Sequence, residues 1–296
     1  MSTATHALRL AALTGAAFLL TACGSSEPEP AASAEDTPQD QTAATNEVAP
    51  ADQTLRAAGF EVAVWHSTDA GEGRLEIGRD GEALYAVTGE RFELGGPSDS
   101  AQRVGLGEDI TGDGTPNLIV ELWTGGTACC VDYLVYDLGA QGPELLGRVS
   151  ALTGGRFKDY DGDGYPEIRL HDGTFMGWNA GVGDSPAPPV VLRWDGLWFT
   201  AAPELMHAPP PTHQQLATWA RRVEGGGEWD SAGPFAPPAQ LWGVTLDLLY
   251  TGHSDLAGAF IDSAWRDDIE GRDAFVASVY AKLAESPYWA EITRAN

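Results

Sequence analysis

Positive charge is scarce in this chain: 17 Lys and Arg stand against 43 Asp and Glu in 296 residues, a formal net charge of -26. So acidic a chain excludes nucleic-acid binding, which needs a basic stripe to neutralise phosphates. It also excludes docking on anionic lipid through protein charge. Long apolar runs are missing as well. The longest, Leu10–Leu20, has eleven residues and would rise about 16 Å as a helix, well short of the ~20 residues a membrane span needs. Beyond His6 near the start, the histidines His66, His171, His207, His213 and His253 are scattered without zinc-like spacing. Gly125-Gly126 and Gly225-Gly226-Gly227 lack a phosphate-loop pattern. Gly183-Asp184-Ser185 lacks the strand–turn–helix setting of a nucleophile elbow. What is plentiful is apolar and aromatic material, 43% of residues and 10 Trp, enough for a sizeable core.

The first 22 residues combine Arg9, the short apolar run and small residues at the end, the layout of a secretory signal. The sequence Leu20-Thr21-Ala22-Cys23 resembles the lipobox of bacterial lipoproteins. That resemblance implies cleavage before Cys23 and acylation of its thiol, so the membrane partner is reached through lipidated Cys23. Gly24 in the second mature place implies, by the same resemblance, an envelope location at an outer membrane. From Gly24 to Thr54 there are seven acids, four Pro, no basic residue and no aromatic. Such a segment cannot bury enough apolar surface to offset chain entropy, and residues 23–57 are expected to be a flexible acidic tether.

Two periods follow. From Phe60 to about Leu205 the signals are strand-like: Glu61–Trp65 alternates, Leu75–Ile77 and Leu84–Val87 flank Asp80-Gly81, and Leu118–Trp123 and Val131–Leu138 are β-rich. Val190–Trp194 and Leu197–Thr200 flank a second Asp-Gly pair. After Pro209-Pro210-Pro211 the spacing becomes helical. Thr212 and Gln215 form a capping box, and Leu241, Val244, Thr245, Leu248 and Leu249 define one face. The expected fold is α+β: a β domain over 58–208 and a helical domain of four or so helices over 209–296. Trp194, Trp198, Trp242, Trp265 and Trp289 fall within element patterns and are expected in the core.

The chemistry concentrates in Asp159-Tyr160-Asp161-Gly162-Asp163-Gly164-Tyr165-Pro166-Glu167. Carboxylates at positions 1, 3 and 5 converge only if the backbone curls tightly, which Gly164 permits. A hard cation with 6–8 oxygen ligands suits such a loop, with the Tyr165 carbonyl at position 7 and Glu167 at position 9. Position 12 is Leu170 and the following residues look like a strand, so this is not an EF-hand. The frame recurs 50 residues earlier in Asp109-Ile110-Thr111-Gly112-Asp113-Gly114-Thr115-Pro116-Asn117, with Thr115 at position 7. Here Thr111 and Asn117 replace charged ligands, so of the one or two calcium sites expected the 159–167 loop is the stronger. Dissociation constants near 10⁻⁴–10⁻³ M, about the range of extracellular calcium modules, are expected.

The paired loops resemble FG-GAP repeats, the calcium-binding units of integrin-type β-propellers, also known in bacteria as VCBS-like repeats. The resemblance spans about residues 100–205. It implies ligand roles for Asp159, Asp161, Asp163 and Glu167, then for Asp109, Asp113 and Asn117, and a β domain of two or three propeller-like units. The bacterial secreted proteins that share these motifs have no defined activity. Cys129 and Cys130 are adjacent, with Cα atoms at most ~3.8 Å apart, below the usual disulfide range. A vicinal disulfide is the expected form; buried thiols and a redox or soft-metal site are the competing readings. With no catalytic constellation in view, the sequence reads as a calcium-stabilised binding module of the cell envelope with a protein or glycan partner. The alternative is a calcium-dependent, hydrolase-like envelope enzyme.

Overall fold

The computed structural model describes residues 49–66, 72–126, 130–226, 229 and 237–295. Residues 1–22, read above as a signal, Cys23, expected to carry lipid, most of the expected tether and Cys129 of the cysteine pair lie outside the described residues. Residues 49–296 form one compact α+β unit, with three four-stranded antiparallel sheets followed by helices.

Each sheet is a meander in chain order. The first comprises β1 (Gln53–Ala57), β2 (Phe60–Trp65), β3 (Gly73–Arg79) and β4 (Glu82–Gly89). The second comprises β5 (Arg91–Leu94), β6 (Asn117–Trp123), β7 (Val131–Gly139) and β8 (Gly142–Ala151). The third comprises β9 (Arg156–Lys158), β10 (Glu167–His171), β11 (Pro189–Trp194) and β12 (Phe199–Ala201). Asp80 and Gly81 turn the β3–β4 hairpin at φ +54° and +82°. Both residues of this turn take positive φ, which favours the Asp-Gly pair found there.

The segment expected as tether ends earlier than its composition suggests. Gln53–Ala57 pairs with β2 in register Gln53↔Val64 to Ala57↔Phe60. Gln53–Ala57 itself holds no acid and one basic residue, Arg56, and it forms an edge strand because β2 supplies the ladder and Leu55 packs against the core.

The burial pattern places the second sheet between two cores. Phe60, Val62, Val64, Leu75 and Ile77 of the first sheet pack on Phe92, Leu118, Val120, Leu122, Leu134 and Tyr136 of the second. The opposite face, through Ile119, Tyr133, Val135 and Val149, packs with the third sheet and the helices. Strand β6 is therefore covered on both faces, which explains its consecutive apolar residues Leu118, Ile119 and Val120.

Among the described residues five α-helices complete the unit: α1 (His213–Gly225), α2 (Ala239–Tyr250), α3 (Ser254–Ala264), α4 (Arg272–Leu283) and α5 (Trp289–Ala295). The Thr212–Gln215 capping box starts α1 as the sequence requires. The helices share the core of the third sheet rather than enclosing their own. Phe175, Trp178, Trp242, Phe275, Trp265 and Trp229 form a chain of ring contacts with centroids 5.2–6.2 Å apart. Asp172, just after β10, is buried and joins sheet to helices. Its Oδ1 accepts from Thr174 N at 2.9 Å, and its Oδ2 from Tyr250 Oη at 2.6 Å and Ser286 Oγ at 2.5 Å. Trp198 departs from expectation. It sits 58% exposed beside Leu197, 83% exposed, at the β11–β12 turn, where Asp195 Oδ1 fixes both amides. The turn carries both side chains past the edge of the core.

Candidate metal centre

Both acidic loops join the first strand of a sheet to the second. Residues 109–117 end at the start of β6, and residues 159–167 end at the start of β10. The two fold alike and share four backbone-to-side-chain hydrogen bonds at equivalent positions. Asp159 accepts from Gly162 N at 2.6 Å and Gly164 N at 3.0 Å; Asp109 accepts from Gly112 N at 2.7 Å and Gly114 N at 2.8 Å. Asp163 Oδ1 takes Tyr165 N at 2.8 Å and Asp113 Oδ1 takes Thr115 N at 2.7 Å. At position 9 Glu167 Oε2 takes Tyr160 N, and Asn117 Oδ1 takes Ile110 N, each at 2.7 Å. Gly112, Gly114, Gly162 and Gly164 all have φ between +79° and +96°, a region costly to residues with a Cβ.

In the second loop one carboxylate oxygen from each of Asp159, Asp161 and Glu167 lies within 4.8 Å of the others. Asp159 and Asp161 are at the surface and Glu167 is buried. Asp163 instead faces the Tyr165 amide and stands outside this triad, although it shares the loop. Burial raises the Glu167 pKa, the charges of Asp161 and Asp163 raise it further, and the bond from Tyr160 opposes them. Such a triad can take a hard cation, and its oxygen ligands suit calcium, magnesium or manganese.

Two charged neighbours were not visible as site residues in the sequence. Arg193 on β11 places Nη1 3.1 Å from Asp161 Oδ2 and also pairs with Glu204. Asp137 on β7 is the cross-strand partner of Asn117 and accepts from its Nδ2 at 2.5 Å. Its pKa is pushed up to about 6, first by burial and then by the charges of Asp113 and Glu144. The first loop thus gathers Asp109, Asp113 and Asp137 around a neutral Asn117. The second gathers four carboxylates and Arg193, so each carries a net charge of three negatives. Both neighbours come from a strand 20 or more residues away in sequence, and only the strand register, set by the completed sheets, brings them in.

The loops also touch each other. The Tyr165 ring lies where a side chain on Gly112 would meet it, at 3.1–3.4 Å. Thr111 Oγ1 stays within its own loop, 3.4 Å from Asp109 and Asn117 oxygens. Among the described residues no helix is long and apolar enough to cross a membrane. Cys130 is half-buried, and its carbonyl accepts from Thr124 N at 2.9 Å. No family model, no curated protein and no solved structure matches this chain.

Proposed function

We propose that the protein is a lipid-anchored cell-envelope protein whose β-sheets are braced by calcium and which serves as a binding module for a protein or glycan. The observation that carries this is the convergence of Asp159, Asp161 and Glu167 oxygens within 4.8 Å. Three carboxylates so close repel one another, and a divalent cation turns that cost into attraction. The loop ties β9 to β10, so a bound cation stiffens the third sheet and, through the Tyr165–Gly112 contact, the neighbouring loop. The resemblance to FG-GAP units gains support from the architecture: three four-stranded meanders, two of which carry an equivalent acidic loop between their first and second strands.

Calcium titrated into the EDTA-stripped full chain should give a saturable heat from the second loop, with a weaker event from the first. Asp161→Ala/Asp163→Ala should abolish the stronger event and leave the weaker. Magnesium should compete poorly, because it demands a near-ideal octahedron and gives up water reluctantly. Equal heats for wild type and double variant would refute the proposal. For the anchor, Cys23→Ser should move the protein from the membrane fraction to the soluble one.

A further inference from the structure

In a chain this acidic, positive charge gathered in one place requires a reason. Four of the 17 Lys and Arg, namely Arg103, Arg156, Lys158 and Arg169, line one cavity of about 640 Å³ together with His171. Two carboxylates, Asp99 and Glu121, share it, so cations outnumber anions two to one. The cavity lies between the second and third sheets, beside the start of the 159–167 loop.

The β register makes the gathering costly. Arg156 on β9 stands directly opposite Arg169 on β10, and like charges directly opposite destabilise a pair of strands. Alternation puts Arg156 and Lys158 on the exposed side of β9, and Arg169 and His171 on the exposed side of β10. Internal partners do not compensate. Arg156 donates to the Ser98 carbonyl at 2.9 Å, Arg169 meets the Tyr160 hydroxyl, and Lys158 reaches Asp99 only at 3.6 Å with both groups half-exposed. Arg103, by contrast, is tied to Glu121 at 2.5 Å and to the Gly95 carbonyl, and forms a fixed wall. The rim is equally fixed. Tyr133 Oη accepts from Gly155 N at 2.7 Å, and a side chain on Gly155 would meet Ile168 and the Arg169 carbonyl at 3.0–3.1 Å.

We propose that this cavity binds a small anion through its oxygens, a phosphate ester or a carboxylate, held between Arg156 and Arg169 with Lys158 beside them. Guanidinium forks suit both oxyanions, and the volume is that of a small-molecule site. Bound there, the anion would convert the Arg156–Arg169 repulsion into two attractions. The His171 pKa is lowered by partial burial and by Arg169, as expected of a strand face that carries excess positive charge.

The test uses the full chain stripped of divalent cations and dialysed free of chelator, at low ionic strength, titrated with inorganic phosphate in one arm and glucuronate in the other. Sodium chloride at matched ionic strength is the control, and calorimetry and thermal unfolding are the readouts. At least one anion should bind saturably and raise Tm above the chloride control; which one binds identifies the oxyanion. Arg156→Gln/Arg169→Gln should weaken that binding by roughly tenfold or more, as loss of charge-assisted bonds requires, and should raise the Tm of the anion-free protein. Should that variant fail to fold, Lys158→Gln, at a half-exposed position, should still weaken binding. The inference stands apart from cation binding: Arg156→Gln/Arg169→Gln should keep its calcium response, and Asp161→Ala/Asp163→Ala its anion response. No rise above chloride with either anion at tens of millimolar, or binding unchanged in the Arg156→Gln/Arg169→Gln and Lys158→Gln variants, would overturn it.

Discussion

Arg193 presses a positive charge on the carboxylate Asp161 that a cation would need, at 3.1 Å. Removing that competitor in Arg193→Gln should tighten calcium binding by about two- to fivefold, the size of a half-exposed ion pair; a calcium titration of the variant checks it. Gly112 has φ +79° and faces the Tyr165 ring. Gly112→Ala should therefore cost about 1–2 kcal/mol from backbone strain alone, read as a lower midpoint in urea. Asp172→Ala would leave the Tyr250 and Ser286 hydroxyls without their buried acceptor. A loss of about 3 kcal/mol or more is expected, seen as a drop in Tm. His171 gives a pH signature. Its folded pKa lies below the ordinary 6.5 through burial and then Arg169, so the unfolded chain takes up its proton first as pH falls. Its contribution to stability is complete above pH 6.5 and declines as pH drops through the folded value. His171→Asn should remove that part of the slope in urea midpoints measured across the range.

Among the elements, those with strong periodicity were legible in the sequence and the short or mixed ones were not. Alternation marked β2, and β-rich runs marked β6 and β7; the capping box marked α1. Strand β8, Gly142–Ala151, carries Pro143, two Gly and charges, and it is a strand because β7 offers it a ladder of paired residues. Strand β9 has three residues, too few to show a period. Strand β1 is short, has no aromatic and directly follows the acidic segment, so it shows no signal of its own. Its place is fixed from outside, since Gln53 Oε1 accepts from Leu94 N at 2.9 Å and its Nε2 reaches Glu93. Deleting residues 53–57 should lower Tm by several degrees, whereas deleting 24–48 should not. Equal Tm values for the two deletions would show that β1 adds nothing. The curl of the acidic loops was legible, because their Asp and Gly spacing is local, and so was the convergence of Asp159, Asp161 and Glu167; that Asp163 turns to the Tyr165 amide instead was not. Asp137 and Arg193 were not, because strand register places them.

Over the whole molecule, the second and third sheets and the helices share one continuous core, on the face of the second sheet away from the first. The change of period at residue 209 thus marks a change of element type within one compact unit. Stiffening the third sheet should be felt by the helices through Asp172 and the aromatic chain from Phe175 to Trp229. A cation held by Asp159, Asp161 and Glu167, as proposed, would therefore act on global stability. The direct measurement is thermal unfolding of the full chain in EDTA and then in millimolar calcium, with Asp161→Ala/Asp163→Ala alongside. A ligand at ~100 times its dissociation constant adds about 2.7 kcal/mol, which in a unit of this size is a rise of roughly 5–10 °C. The account predicts that rise in a single cooperative transition, lost in the double variant. An unchanged Tm in calcium, or a rise that survives in the double variant, would contradict it.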